Sequence, residues 1–339
     1  MLNGNVEETD LLTFARIIEE IARADGSTAW CLVQASGCSL VSAFLEPAVA
    51  SEIFGPRARG ILAWGPGRGR AIAVDGGYRL TGQWSFASGC HHATWLGGIA
   101  TIVESDGTPR RDERGAAEIR TLLFPKDRAR FEDVWQVSGL RGTGSDTFAV
   151  SELFVPEAFN VRRDDPGERR EPGRLYAFHL NNVFALGFAS VALGIARGTL
   201  DALVELARAK TPRAATGVLR DDPVVRSEVA RAEANWRSGR AFLRETVAEA
   251  WETASSSEEL PLPQRIQIRL AATHAIHLAA QALDVAYHHA GATAIFEQNP
   301  FERRFRDLHA VTQQVQGRYT HYENVGRHLL GIDPDPAFL

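Results

Sequence analysis

The 339-residue chain is poor in the residues that mark several large classes of protein. Its three cysteines, Cys31, Cys38 and Cys90, fit neither a paired disulfide framework nor the spacing of metal ligands. The longest apolar stretch, residues 184–196, is interrupted by glycine and serine and is shorter than the roughly 18 residues of a membrane span. The first ten residues are acidic and lack the pattern of a signal peptide. We therefore expect a soluble, cytoplasmic protein without a metal site or a membrane partner.

Positive charge is also scarce relative to negative charge. Lysine and arginine together number 37 against 42 acidic residues, which gives a net charge of −5, and lysine occurs only at positions 126 and 210. A chain without an excess of positive charge has no overall electrostatic footprint for nucleic acid. Hydrophobic residues make up 45% of the chain, an ordinary globular composition, and the length suggests about two domains.

The hydrophobic periodicity changes along the chain. Helical spacing at the start gives way to short alternating runs bounded by glycine and aspartate, and then to a loop dense in charge, proline and glycine. The remainder has helical spacing in four long blocks, about 175–211, 221–254, 262–292 and 300–330, with prolines at their joints, which favours an antiparallel bundle. The predicted segments are an N-terminal helical domain (1–56), a β domain (57–157), a charged linker (158–174) and a four-helix bundle (175–339). The predicted fold class is α+β, with a central antiparallel β barrel or sandwich.

Several short sequence motifs allow a more specific assignment than the architecture alone. They are ARADGSTAW at 22–30, GQWSFASG at 82–89, GLRGTGS at 139–145 with LFVP at 153–156, VALGIARG at 191–198 and RRFRDLHAVTQQ at 303–314. In this order they resemble the acyl-CoA dehydrogenase superfamily, and within it the flavin-dependent two-component monooxygenases, over nearly the whole chain. Members of that family usually carry further helix before the segment that matches Leu11, so the N-terminal helices are expected to be shortened.

The resemblance implies a reaction and its partners. It implies the oxygenase component of a monooxygenase that receives reduced flavin, FMN or FAD, from a separate reductase. Oxygen would add to the flavin as a C4a-(hydro)peroxyflavin and be transferred to a small aromatic molecule. The family fold also implies a homo-oligomer, a homotetramer or a dimer of that type. The string GPGRGR at 65–70 is no dinucleotide fingerprint, because no βαβ unit surrounds it, which agrees with flavin that arrives already reduced.

The same resemblance implies which residues contact the flavin. Residues 84–89 resemble the flavin-contact segment, in which Ser88 would bond the flavin N5 atom, Trp84 would stack near the ring, and Ser85 would lie beside them. Ser88 is alternatively a plain turn residue, and Trp84 a core residue. Gly65 ends a strand-like run where the family also approaches the flavin. His91 and His92 follow and are expected on a strand.

A second set of contacts concerns the far end of the cofactor. Residues 290–293, with Gly291 and Thr293, resemble the loop that reaches the cofactor of a neighbouring subunit. Lys210 and Arg306 lie where the family places contacts to the flavin phosphate. The alternative for the arginine is a solvated side chain or an ion pair with Asp307.

The resemblance leaves more than one candidate for the acid–base group. The monooxygenases often have a histidine where Gln314 stands, and an amide cannot exchange a proton near neutral pH. A helix running from Arg303 to Tyr322 would turn Gln314 towards the flavin. His179 and His309 are the other candidates for acid–base chemistry. The competing hypotheses are an FAD-dependent acyl-CoA dehydrogenase and a catalytically impaired flavin-binding or structural paralogue.

The dehydrogenase hypothesis has a simple weakness. Many dehydrogenases carry a catalytic glutamate about nine residues after the Arg-Asp pair. That position falls here at Val315 or Gln316, and neither side chain can act as a base.

Overall fold

The computed structural model describes residues 9–112, 115–163, 165–255 and 259–335. Within these residues the chain forms eight α-helices and eight β-strands. The helices are α1 (Leu11–Ala24), α2 (Gly26–Ser39), α3 (Pro47–Phe54), α4 (Leu180–Ala209), α5 (Pro223–Thr253), α6 (Leu262–Ala290), α7 (Pro300–Gln313) and α8 (Thr320–Leu329). The strands are β1 (Leu62–Ala63), β2 (Gly69–Val74), β3 (Gly77–Trp84), β4 (Trp95–Val103), β5 (Ile119–Pro125), β6 (Arg130–Glu132), β7 (Thr147–Pro156) and β8 (Asn160–Val161). The predicted α+β class is confirmed.

The described residues group into two compact units. The β unit comprises Gln34–Gln136 and Thr143–Tyr176, and the helical unit comprises Thr9–Val33, Val137–Gly142 and the chain from Ala177 onward. Residues 9–33, which the sequence assigns to an N-terminal domain, therefore group with the bundle helices. Helix α1 packs against α4 because α4 has glycine at position 194, where a β-carbon would collide with the Glu19 carbonyl oxygen.

The sheet of the β unit is mixed, whereas an antiparallel arrangement was expected. Its strand order is β6-β7-β3-β2-β4-β5-β8, with β1 beside β4. Strand β4 pairs in parallel with β1 and β2, and the other pairings in the described sheet are antiparallel. Parallel neighbours need a crossover rather than a tight hairpin. Residues 85–94 provide it by carrying the chain from β3 to the far side of β2.

The charged segment that follows β7 folds back onto the sheet. Glu118 on the approach to β5 is buried, and its carboxylate lies 2.5 Å from Arg120 Nε and 3.4 Å from Arg162 Nη2. Arg162 is in turn 2.7 Å from Asp165. A buried carboxylate needs such partners because its desolvation is costly. The segment was expected to be a solvated linker, and part of it instead provides the counter-charges for Glu118.

Helix α4 forms the centre of the helical unit. It packs against α1, α6 and α7, and most of its side chains are buried. Among the described residues α4 is the one helix long and apolar enough to cross a membrane, and 94% of its most apolar window is buried inside the protein. The ring of Phe188 stacks on Trp30 at 4.0 Å, and Trp236 Nε1 donates to the Leu193 carbonyl. These contacts are those of a core helix in a bundle.

The last helical block is broken, although a continuous helix was expected. Helix α7 ends at Gln313, Gln314 is extended, and a single 3₁₀ turn (Val315–Gly317) precedes α8. The Gln314 side chain accepts a bond from the Gln316 backbone N–H at 2.6 Å. Side chain-to-backbone bonds of this kind compete with helical hydrogen bonds and allow the chain to leave the helix.

Candidate active site

The turn at residues 85–91 is held in place by the segment at residues 143–147, immediately before and into β7. We call these two stretches the Ser88 turn and the clamp segment. The bonds that join them are Ala87 N to Asp146 O (3.1 Å), Gly89 N to Thr143 O (3.0 Å) and Cys90 Sγ to Gly144 O (3.3 Å). Two backbone bonds and one thiol bond thus attach the turn to the clamp segment at three residues rather than at one point.

Side-chain hydroxyls add to these backbone bonds. Ser88 Oγ lies 2.7 Å from Ser145 Oγ, and Ser145 Oγ lies 2.7 Å from Thr143 Oγ1, with all three residues buried. Thr147 Oγ1 donates to Ser85 Oγ at 3.0 Å. The predicted flavin-contact residues Ser85 and Ser88 are therefore both bonded to the clamp segment. Their contact with flavin stays a prediction.

His91 and Asp146 form a further link that the sequence analysis missed. His91 lies in the Ser88 turn and not on a strand, and its Nε2 is 2.7 Å from Asp146 Oδ2. The other carboxylate oxygen of Asp146 accepts the backbone N–H groups of Val134 and Trp135 at 3.0 and 3.1 Å. The partners are 55 residues apart in sequence, so no local pattern signals the pair.

The aromatic residues of the turn are arranged differently from the expectation. Trp84 is fully buried, its Nε1 donates to the Ile99 carbonyl at 3.0 Å, and its ring stacks on Phe148. Trp84 is therefore a core residue and is not placed to stack on a flavin. The exposed ring belongs to Phe86, which is 62% exposed, has φ of +54° and meets Trp135 edge-to-face at 5.9 Å. A bulky residue with this φ is rare, and such strain is concentrated at functional sites.

Gly65 also lies against the Ser88 turn. A β-carbon at this position would collide with the carbonyl oxygen of Ser85, and the Ser85 N–H donates to the Pro66 carbonyl at 3.0 Å. The glycine is thus required by the close approach of two backbone segments. Its predicted proximity to flavin is not tested by this contact.

Lys210 and Thr293, two of the predicted flavin contacts, bond to each other in the helical unit. Lys210 Nζ donates to Thr293 Oγ1 at 2.9 Å and to the carbonyl of Ala290, the last residue of α6. Gly291 follows with φ of +55°, the left-handed conformation common at helix ends. A lysine at a helix C-terminus compensates the partial negative charge there. Lys210 therefore holds the loop after α6 in place. The sequence had predicted a contact between Lys210 and the flavin phosphate, and did not predict this structural role.

Arg306, the other predicted phosphate contact, is also engaged. Its guanidinium bonds Glu302 through Nε at 2.8 Å and Nη2 at 2.7 Å, and Nη1 donates to the Ser138 carbonyl. The neighbouring Asp307 is buried and accepts the Leu140 N–H at 2.6 Å, and burial raises the pKa of its carboxyl group. The ion pair of Arg306 is therefore with Glu302 and not with Asp307, and its contact with a flavin phosphate stays a prediction.

Gln314 is half-buried and adjoins a buried polar cluster that the sequence did not reveal. Through Gln316, whose side-chain oxygen accepts from Arg269, it is linked to a fully buried guanidinium on α6. Arg269 Nη2 also reaches the Asn181 carbonyl at 3.5 Å, and burial lowers the pKa of Arg269 to about 10. The one available signal was an arginine within an otherwise apolar helical stripe. Gln316, at one of the two positions where many dehydrogenases have their catalytic glutamate, thus has an amide side chain that bonds to Arg269.

His321 completes this cluster. Its Nε2 lies 2.6 Å from the Val315 carbonyl oxygen, and the residue is buried. Burial, and the nearby charges of Arg269 and Arg318, lower the pKa of His321 to about 4. The imidazole is therefore neutral in the folded protein near pH 7.

The two histidines proposed for acid–base chemistry are each paired with a carboxylate. His179, at the start of α4, lies 2.7 Å from Glu259 Oε1 and 2.9 Å from Arg265 Nη1. His309, on α7, lies 2.8 Å from Asp284 Oδ1. An imidazole oriented by a carboxylate is a recurrent arrangement for proton transfer, and it is equally common as a structural ion pair.

Comparison with known proteins agrees with this fold. The family described as "Acyl-CoA dehydrogenase, C-terminal domain" matches residues 186–317. The structure of XiaF from Streptomyces sp. in complex with FADH2 and glycerol superposes with a TM-score of 0.88 at 25% identity, covering 98% of this chain and 84% of that one. The chain therefore has the acyl-CoA dehydrogenase fold.

Two relatives narrow the class further. An indole-3-acetate monooxygenase of Pseudomonas putida is 33% identical over 96% of this chain and 81% of the relative. The oxygenase subunit HsaA of a flavin-dependent monooxygenase from Rhodococcus jostii is 30% identical, over 89% of this chain and 79% of that one. The chain belongs to the flavin-dependent two-component monooxygenases of the acyl-CoA dehydrogenase superfamily, as the motifs indicated. It is a flavin-dependent oxygenase component rather than a dehydrogenase.

The buried His321 predicts a specific dependence of stability on pH. Because its pKa is about 4 when folded and 6.5 ordinarily, the unfolded chain alone binds this proton between those values. Stability from this group is present above pH 6.5 and lost as the pH falls towards 4, by about 2 kcal/mol between pH 7 and 5. We expect His321→Gln to remove that part of the loss in chemical denaturation. The exposed His92→Gln is the control, and equal pH dependence in all three proteins would contradict the prediction.

Proposed function

We propose that the protein takes reduced flavin, FMN or FAD, from a separate reductase in the cytoplasm and uses oxygen to hydroxylate a small aromatic molecule. The names of the relatives support an aromatic substrate, since one is an indole-3-acetate monooxygenase and others include a resorcinol hydroxylase component. The name "oxygenase subunit" supports a separate reductase. The XiaF complex with FADH2 supports the reduced cofactor.

The observation that carries the proposal is the Ser88 turn. It combines a buried, bonded hydroxyl at Ser88 with the exposed ring of Phe86 and its neighbour Trp135. A flavin ring system needs a flat apolar surface and hydrogen-bond partners at its polar edge, and these residue types fit both needs. In this proposal Ser88 bonds N5, Phe86 and Trp135 contact the ring, and Ser85 and Gly65 shape the adjoining backbone. The bound flavin supplies the oxygen chemistry, and the protein orients it.

The acid–base chemistry is assigned on the paired histidines and Gln314. The amide of Gln314 donates a hydrogen bond but takes no proton, so it orients a reactant rather than acting as a base. His179 and His309 can accept a proton, and each has a carboxylate to stabilise the charged imidazole. We therefore favour a substrate with an electron-rich ring that reacts without deprotonation. If the substrate is a phenol, which must lose a proton, His179 is the proposed base.

The proposal includes assembly of the protein as a homotetramer. Ile295 and Phe296, in the loop that Lys210 holds, are 65% and 54% exposed. Large apolar side chains exposed side by side are typical of a contact surface. We expect light scattering at micromolar concentration to give four chains, and Ile295→Asp with Phe296→Asp to weaken the assembly. A monomeric wild-type protein would contradict this part of the proposal.

The flavin contact is tested by removing the Ser88 hydroxyl. Loss of one hydrogen bond in a buried site costs about 1–2 kcal/mol, so Ser88→Ala should weaken binding of reduced flavin about tenfold. Anaerobic titration with photoreduced FAD and FMN measures the dissociation constants. Ser151→Ala, an exposed serine on β7, is the matched control. Equal affinity of Ser88→Ala, Ser151→Ala and wild type would refute the contact.

A further inference from the structure

The carboxylate of Asp146 bonds three groups of the β unit at once. Its Oδ1 accepts the backbone N–H groups of Val134 and Trp135 at 3.0 and 3.1 Å. Its Oδ2 lies 2.7 Å from His91 Nε2, and the residue is only 5% exposed. Burial of a carboxylate is costly unless hydrogen bonds replace its lost hydration, so these three bonds help to keep Asp146 in its place.

Asp146 also bonds through its backbone beside Phe86. Its carbonyl oxygen accepts the N–H of Ala87, the residue that follows Phe86, at 3.1 Å. Phe86 has φ of +54°, and such a conformation in a bulky residue persists only where the surrounding structure enforces it. The bond to Ala87 is one such restraint.

The aromatic contact between Phe86 and Trp135 therefore joins two segments that both bond to Asp146. The two rings meet edge-to-face, with centroids 5.9 Å apart and planes at 84°. Val134 and Trp135 follow the end of β6 and lie outside the strands of the sheet. The carboxylate thus gives their backbone N–H groups the acceptor that a neighbouring strand would give within a sheet.

We propose that Asp146 is a positioning residue of the flavin site. Its carboxylate holds Trp135 so that this ring and the ring of Phe86 form one surface before the flavin arrives. The inference rests on the proposed function, in which both rings contact the flavin. Asp146 itself does not touch the flavin and acts through Trp135. Groups that are already ordered lose little conformational entropy when a ligand binds, so this arrangement strengthens binding.

The test is a double-mutant cycle on the binding of photoreduced FAD and FMN, measured by anaerobic titration. In Asp146→Ala the N–H groups lose this acceptor and the ligand has to order the ring, so binding should weaken about tenfold. Trp135→Ala removes the ring and should also weaken binding about tenfold. With the ring already absent, Asp146→Ala should weaken binding by less than about twofold more. A merely structural role would instead make the two losses multiply, to about a hundredfold.

Matched variants separate positioning from general destabilisation. Asp146→Asn keeps the size and an oxygen that can accept both N–H groups, so it should bind reduced flavin within about twofold of the wild type. Glu118→Gln is the control, because Glu118 is a similarly buried carboxylate of the β unit, 4% exposed. It bonds Arg120 and Arg162, outside the Ser88 turn and the clamp segment, and the variant should keep wild-type affinity.

Hydrogen exchange of the wild-type protein adds a test that needs no variant. Backbone N–H groups bonded to a buried acceptor exchange slowly, so the amides of Val134 and Trp135 should be protected although they lie outside the strands. Exchange of both amides as fast as in an exposed loop would overturn the inference, even if Asp146→Ala fails to fold.

The outcomes distinguish the inference from the proposed function. If Trp135→Ala weakens binding but Asp146→Ala does not, if the two losses multiply, or if Asp146→Asn loses as much as Asp146→Ala, Asp146 does not position the ring and the flavin contacts stand. If Trp135→Ala and Phe86→Ala both keep wild-type affinity, the proposed ring contacts are wrong, and the role of Asp146 falls with them. A tenfold loss in Asp146→Ala that Asp146→Asn restores, and that disappears without the Trp135 ring, supports the inference.

Discussion

The bonds between the Ser88 turn and the clamp segment are the constraint on which the candidate site of the β unit depends. Backbone, hydroxyl and carboxylate groups of residues 143–147 bond to residues 85–91 at successive positions. Without them the crossover from β3 to β4 would be an ordinary surface loop. With them, the hydroxyl of Ser88 is buried and bonded, and the ring of Phe86 is held exposed in a strained conformation. Catalytic and binding groups placed in this way need little rearrangement when a ligand arrives.

The helical unit shows a comparable use of buried polar groups. Arg269 is fully buried, and its partners include Gln316, in the short turn where α7 gives way to α8. Gln314 shapes the same turn through its own side chain. The position where the family resemblance led us to expect a histidine is thus also a structural residue. A substitution at Gln314 would alter the turn as well as the chemistry.

Periodicity predicted the fold better than it predicted the site. The long helices α4, α5 and α6 begin and end close to the predicted blocks, because apolar spacing and prolines act locally. The parallel pairing of β4 was missed since it depends on a crossover and not on strand composition. The flavin contact of Ser88 was predicted from its motif and stays a prediction. Trp84 was predicted to stack near the flavin, but it lies buried at the end of β3. His91, Asp146 and Ser145 carry no local signal, since their contacts join segments more than 50 residues apart.

The central claim is that the Ser88 turn binds the reactive edge of reduced flavin. A structure of the protein determined anaerobically with reduced FAD or FMN tests it most directly. We expect Ser88 Oγ within about 3 Å of N5, the flavin ring against Phe86, and the Ser88–Ser145 bond intact. A flavin bound with N5 away from residues 85–91 would contradict the account.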